Sequence, residues 1–185
     1  MPATHELIQV QTASGGGSTT ALEFTAIPQT FTDLELVWSL KYNSYNPTSA
    51  SYSNTFWRVN GDSTSSVYPF MYGGMMYGSG SARYYYNAST SFEILSGIGS
   101  TNTPQSACGR MMIFDYTNTA TTGKSIQSRH SCIQYSGNSY DRSHMMQSGN
   151  LNIAAAVTSI KVITYNGNYI KDDSNIRLYG IDRTA

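Results

Sequence analysis

Short segments in which apolar and polar residues alternate follow one another along most of the chain, separated by Gly, Asn and Ser. The alternation puts Leu34, Leu36 and Trp38 on one face of DLELVWSLKY, and in ALEFTAI it runs from Leu22 to Ala26. A period of two indicates half-buried strands, while the longer period of a helix is weak throughout. The sequence therefore predicts about ten strands in two packed antiparallel sheets, an all-β sandwich of jelly-roll type.

The chain of 185 residues has the length of one domain, and no change in composition marks a second boundary. We therefore predict a single sandwich domain over residues 1–185. Residues 14–19, SGGGST, are typical of a flexible hinge, so that residues 1–13 either pair with their own sheet or cross to a neighbouring subunit as an arm. The longest irregular segments, predicted to be contact loops, are 42–53, 71–81 and 97–107.

Charge excludes two classes of partner. Eleven basic and eleven acidic residues cancel, so no positive field is available to attract nucleic acid or anionic lipid. The chain shows no basic and apolar leader, and no apolar run reaches the roughly 18 residues of a membrane span. We therefore expect a soluble protein without a secretion signal, with no nucleic-acid partner and no membrane partner.

A metal site is the first chemical alternative. His130 and Cys132 are two residues apart on one strand face, and together with His144 or Cys108 they would supply metal ligands. Their spacing differs from the known zinc patterns, which favours a structural role. We expect the two cysteines to be thiols, with one disulfide between them as the alternative, and we expect neither a metal nor a cofactor.

Catalytic signatures are also missing from the sequence. No G-x-S-x-G segment is present. The adjacent Asp172 and Asp173 do not supply the spaced oxygens of a calcium loop, so they are interpreted as a turn before the last strand, and Asn60-Gly61 predicts a tight turn as well. We predict no enzymatic activity, with a carbohydrate-active enzyme as a minor alternative. Five acidic residues occur singly and are interpreted as solvated or turn positions, namely Glu23, Glu35, Asp62, Glu93 and Asp115.

The segment MYGGMMYGSGSARYYYN at 71–87 is the most suggestive of function. Tyr offers a large amphipathic contact at low entropic cost, and Met adapts to irregular partners. The alternative, to which we give equal weight, is that Tyr84 and Tyr86 face the core instead of a partner. The candidate interaction surface comprises Tyr72, Met75, Met76, Tyr77, Tyr84, Tyr85 and Tyr86.

Several segments together resemble small β-rich virion structural proteins of tailed bacteriophages. They are TTALEFTAIPQTFTDLELVWSL, FWRVNGDSTSSVY and AAAVTSIKVITYNGNYIKDDSNIRLYGID, in that order. Phe31 and Asp33 depart from the pattern of that group, and residues 63–150 are less diagnostic. The residues at matching positions are Phe24, Ile27, Pro28, Gln29, Thr30, Arg58, Asn60, Gly61, Asp62, Thr158, Ser159, Ile160, Leu178, Tyr179, Gly180 and Ile181.

The resemblance implies a role in the virion without catalysis. The first hypothesis is a capsid decoration, or cement, protein that is made in the host cytoplasm and lies on the capsid exterior. Its partners are then the major capsid protein and itself, as a homotrimer. The alternative is a tail-fibre or receptor-binding module whose tyrosines stack on host surface glycan, with Tyr72, Tyr77, Tyr84, Tyr85 and Tyr86 as candidates.

Overall fold

The computed structural model of the chain describes residues 4–16, 19–43, 51–63, 67–77, 82–89, 92–99, 105–136, 139–164 and 169–183. These residues form thirteen β-strands, and no helix occurs among them. The strands in chain order are β1 (Thr4–Thr12), β2 (Ala21–Phe24), β3 (Asp33–Asn43), β4 (Ser51–Val59), β5 (Tyr68–Tyr77), β6 (Ala82–Ser89), β7 (Phe92–Gly99), β8 (Gln105–Phe114), β9 (Lys124–Ser136), β10 (Ser139–Leu151), β11 (Ile160–Thr164), β12 (Tyr169–Ile170) and β13 (Asn175–Asp182).

Two antiparallel sheets carry the fold. Six strands form the larger sheet in the order β1-β13-β3-β8-β9-β10, and β4, β11 and β2 form the smaller sheet. β5 and β6 continue the larger sheet beyond β10, β12 pairs with β3, and β7 pairs with β4. One parallel pair, Gly99 with Tyr135, links β7 to β9. The predicted all-β architecture with antiparallel sheets is confirmed.

The core lies between the two sheets. The rings of Trp38 in β3 and Trp57 in β4 are 5.5 Å apart and therefore join the larger sheet to the smaller one. Leu34, Leu36 and Trp38 are all buried, as the alternation predicts, and the residues between them lie on the opposite face of β3. The two inner faces thus pack against each other in a sandwich-like arrangement.

Two predicted boundaries are wrong. β2 ends at Phe24, and Ala26 is exposed with a φ of 52° because the chain turns there instead of continuing the alternation. The segment 71–81 was predicted to be a loop, yet β5 runs to Tyr77 and is hydrogen-bonded to β6 and β10 on its two sides. Pairing on both sides stabilises a strand despite its two glycines, whose intrinsic β-propensity is low.

The beginning of the described chain pairs with its own sheet. β1 is antiparallel to β13 along its whole length, and Ala13 is buried and donates its N–H to the carbonyl of Ser174 at 2.9 Å. Gly16 then adopts a φ of 70°, which glycine reaches without strain. Of the two arrangements considered for residues 1–13, described residues 4–13 show pairing within the chain, and crossing to a neighbouring subunit stays a prediction.

Asn60 holds two distant segments together. It has a φ of 51° and precedes Gly61 with a φ of 68°, which is the tight turn that the sequence predicts. Its side-chain Oδ1 accepts hydrogen bonds from the N–H of Thr158 at 2.8 Å and of Ser159 at 3.2 Å. Its Nδ2 donates to the carbonyl of Ala156 at 2.8 Å. One amide side chain therefore fixes the entry into β11.

A second set of hydrogen bonds connects residues 27–29 and Tyr116 to the segment before β11 that Asn60 also contacts. The side-chain amide of Gln29 donates to the carbonyls of Ile27 and Val157 at 2.8 and 3.0 Å. The hydroxyl of Tyr116 donates to the carbonyl of Pro28, and the N–H of Val157 donates to the carbonyl of Tyr116 at 2.9 Å. Segments far apart in the chain thus meet in one hydrogen-bonded cluster. We call it the corner, and it consists of residues 27–30, 60–62 and 156–159.

The adjacent aspartates before the last strand form a turn. The N–H of Ser174 donates to the carbonyl of Lys171 at 3.2 Å, and Asp173 has a φ of 67° between them. The buried Ser174 hydroxyl accepts the N–H of Lys41 at 2.8 Å, which attaches the turn to β3. The interpretation of Asp172 and Asp173 as a turn is confirmed.

Candidate interaction surface

The Tyr- and Met-rich segment forms two paired strands. In the β5–β6 ladder, Tyr72 lies opposite Tyr85, and in the β5–β10 ladder Met75 lies opposite His144. The side chains of the seven candidate residues lie outside the described part of the structure, so their role stays a prediction. The described backbone places β5 directly beside β10, and β6 pairs with the other side of β5.

The outer face of the larger sheet, defined as the face turned away from the core, is exposed and mixed in character. It carries three large apolar side chains with substantial exposure, namely Leu7 at 49%, Val10 at 47% and Met146 at 59%. Between them lie the exposed Arg177 and Arg129. Val10 lies opposite Arg177 and Met146 lies opposite Arg129, so the outer face presents apolar and cationic side chains next to each other.

A buried carboxylate organises the middle of this face. Glu35 in β3 is only 6% exposed, although it occupies an outward position between Leu34 and Leu36. Its two oxygens contact His5 Nε2 at 2.8 Å and Arg110 Nε at 3.3 Å. The interpretation of Glu35 as a solvated residue is therefore wrong, because side chains from β1 and β8 cover it.

A second buried carboxylate lies at the end of the same strand. Asp33 is 1% exposed, and Arg183 clamps it with Nε at 2.7 Å and Nη2 at 2.9 Å. The same Nη2 contacts Asp115 at 2.8 Å, and the N–H of Asp115 donates to Asp33 at 2.9 Å. These contacts attach the residue after β13 to β3 and to the end of β8, so the two acids share a structural ion-pair network.

A shallow groove of about 440 Å³ crosses the outer face over β8, β9 and β10. Cys108 and Ser131 form the floor of the groove, which is deepest there because both side chains are small. Cys108 is a free and exposed thiol. Arg110 and Arg129 stand beside them, directly opposite each other on neighbouring strands. Across the groove, His144 Nδ1 and the Ser131 hydroxyl are 2.7 Å apart and share a hydrogen bond. Two guanidinium groups therefore line one side of the groove.

His130 occupies the opposite face of β9. It is 3% exposed, and its ring lies 6.4 Å from that of Trp38 in the core. His144 and Cys108 are exposed on the outer face, so they do not share a face with His130. The side chain of Cys132 lies outside the described part of the structure. The metal arrangement considered from the sequence therefore lacks two of its proposed ligands.

Several buried polar side-chain atoms have no hydrogen-bond partner among the described residues. They are both ring nitrogens of His130, the indole nitrogens of Trp38 and Trp57, the Thr55 hydroxyl and the Arg58 Nε. Burial lowers the pKa of His130 to about 4, because the imidazolium would lose its hydration without gaining a counter-charge. His130 is therefore a neutral core residue at neutral pH.

His130 should make the protein sensitive to acid. The unfolded chain binds a proton at the ordinary pKa of 6.5, whereas folded His130 does so only near 4, so stability is full above 6.5 and falls as pH decreases through this interval. At roughly 1.4 kcal/mol per pKa unit, the full loss is about 3 kcal/mol. We expect urea unfolding of His130→Leu to show a correspondingly flatter pH dependence than the parent. An unchanged slope would show that His130 is solvated.

Lys124 is a buried cation whose burial the sequence did not reveal. It is fully buried, and its Nζ donates to the carbonyl of Ile153 at 2.8 Å. Burial lowers its pKa, since the ammonium loses water that one carbonyl replaces only in part. Lys124 stands at the first position of an alternating strand, and only the register with Leu151 shows that this position is covered.

Known proteins supply no further assignment. Comparison with protein-family models, with curated proteins and with solved structures finds no match to this chain. Within the described residues, no group of three or more His, Cys, Asp or Glu side chains is arranged to hold a metal ion. Nor does this part of the chain contain a helix long and apolar enough to cross a membrane.

Proposed function

We propose that this protein is a decoration, or cement, protein that binds the exterior of a tailed-bacteriophage capsid and stabilises the shell. The observation that carries the proposal is the position of the segments behind the resemblance. All three contribute residues to the corner, and the first and third also meet where the ring of Phe31 packs directly over Gly180. The resemblance therefore involves a connected structural framework, which supports a shared fold and role.

The outer face of the larger sheet is the proposed contact with the shell. Its apolar side chains and arginines suit a broad protein contact, and the proposed role is binding without catalysis. A protein that binds the assembled shell but not separated subunits stabilises the shell by mass action. Many weak contacts per particle then add through multivalency.

Assembly is the second part of the proposal. We propose a homotrimer at the meeting points of capsid subunits, a jelly-roll arrangement of the strands, and an N-terminal arm that exchanges β1 between neighbours. The β1–β13 ladder supports the exchange, because the same backbone pairing can form with the β13 of another copy. The host glycan remains the alternative partner if the protein belongs to the tail.

Heat tolerance of bare capsids tests the proposed function. Adding the protein should raise the temperature at which capsids release DNA, because binding favours the intact shell. Met146→Glu places a charge on the proposed contact face and should weaken the effect, whereas Lys161→Glu on the smaller sheet should not. Capsids whose heat tolerance stays unchanged with saturating parent protein would contradict the cement role.

A further inference from the structure

The groove on the outer face contains an unbalanced pair of arginines. Arg110 and Arg129 are direct neighbours across β8 and β9, an arrangement in which like charges destabilise a sheet. Glu35 offsets only one of them, since its oxygens are already engaged by Arg110 and His5. Among the described residues, Arg129 has neither an ion pair nor a side-chain hydrogen bond. The groove therefore carries an excess positive charge.

The groups around Arg129 fit a carboxylate. A guanidinium presents parallel N–H donors that match the two oxygens of a carboxylate group. The hydrogen bond between Ser131 and His144 Nδ1 leaves the Nε2 of His144 available on the opposite wall. Cys108 and Ser131 are small, so a side chain can reach the floor between them.

An apolar wall favours a protein as the source of that carboxylate. Met146 lies directly opposite Arg129 in the β9–β10 ladder and is 59% exposed, and Val37 contributes a second apolar side chain to the groove. A sugar acid would meet this thioether and methyl surface with hydroxyl groups, whereas an apolar residue next to an acidic one would cover it. The sheet continues beyond β10 onto β5, where Gly73 pairs with Met146, so the surface beside the groove is wider than β8 to β10.

We propose that the groove between Arg110, Arg129 and His144 binds an acidic side chain of a protein partner, with the adjacent apolar residue of that partner packed on Met146. The partner supplies the negative charge that β8 and β9 lack. This inference does not depend on the capsid role, because it uses only groups of this face.

Titration of the folded protein with short blocked peptides tests this site. The first peptide has one glutamate between leucines, the second has glutamine in that place, and the third probe is glucuronate. We expect the glutamate peptide to shift the NMR signals of the Arg129 Nε–H and of Ser131, more strongly at low salt than at high salt. The affinity should fall about fivefold to tenfold in Arg129→Gln.

Arg177→Gln is the matched control, because Arg177 is exposed on the same face and lies outside the groove. Its affinity for the glutamate peptide should equal that of the parent. Equal binding of the glutamine peptide, tighter binding of glucuronate, equal losses in both variants, or no binding by any probe would each overturn the proposal. Since bare capsids are not involved, failure here leaves the heat-tolerance test unaffected.

Discussion

Replacing Arg183 with methionine is expected to lower the free energy of unfolding by about 3 kcal/mol. Asp33 is 1% exposed, and both of its oxygens contact the Arg183 guanidinium at 2.7 and 2.9 Å. Without that group, the buried carboxylate keeps one hydrogen bond from the N–H of Asp115 and loses its counter-charge. Half of the Arg183 side chain is exposed, so water enters in part and keeps the loss below the upper limit for buried pairs.

Two further variants separate charge from shape. Arg183→Lys keeps the charge but not the two parallel donors, so an intermediate loss is expected. Combining Arg183→Met with Asp33→Asn removes the unpaired charge and should recover much of the stability, since the asparagine oxygen still accepts from Asp115. Urea unfolding gives the free energy of unfolding of Arg183→Met, of Arg183→Lys and of the double variant. A double variant less stable than Arg183→Met alone would show that the ion pair is not the source of the loss.

Asn60→Ala is expected to cost a similar amount, about 3 kcal/mol, because it removes the side-chain hydrogen bonds that hold the corner. The lost bonds include those to the Thr158 and Ser159 N–H groups and to the Ala156 carbonyl. The φ of 51° adds to the cost, since alanine tolerates the left-handed region less well than asparagine. Thermal or urea unfolding at neutral pH measures the change.

A graded series tests the two causes at Asn60 separately. Asn60→Gly removes the hydrogen bonds but accepts the positive φ, so it should be about 1 kcal/mol more stable than Asn60→Ala. Asn60→Asp retains the acceptor for Thr158 and loses the bond to Ala156, and it should be the least destabilised of the three. If alanine were tolerated as well as aspartate, the corner would not depend on this side chain.

The alternation of residues predicted the elements but not their partners. The period of two correctly placed Leu34, Leu36 and Trp38 in the core, and Asn60 with Gly61 was correctly predicted as a turn. Both are local effects, set by strand geometry and by backbone conformation. Strand order and register depend on contacts between residues far apart in the chain, such as Asn60 and Thr158, which are 98 residues apart and which no local pattern contains.

The alternation of apolar and polar residues does not predict the burial of charged side chains. Glu35 and Asp33 occupy the outward positions of β3, which the alternation assigns to solvent. They are buried because His5, Arg110 and Arg183 arrive from other strands or from the chain end. Their low exposure is therefore a property of the assembled sheet.

The groove was hidden for the same reason. Arg110 and Arg129 become neighbours only through the register of β8 with β9, and His144 reaches them through β10. The sequence directed attention to the Tyr- and Met-rich segment, whose strands β5 and β6 adjoin the groove through the β5–β10 ladder. Composition thus indicated a neighbouring part of the larger sheet but not the charged groups themselves.

The most direct measurement is the copy number of this protein in purified virus particles, relative to the major capsid protein, by quantitative mass spectrometry. A decoration protein that covers the shell should approach the stoichiometry of the shell subunit, and we expect that result. A few copies per particle would contradict it and assign the protein to the tail, where the tyrosine-rich strands would be tested against host glycan. Absence from purified particles would contradict the virion role altogether.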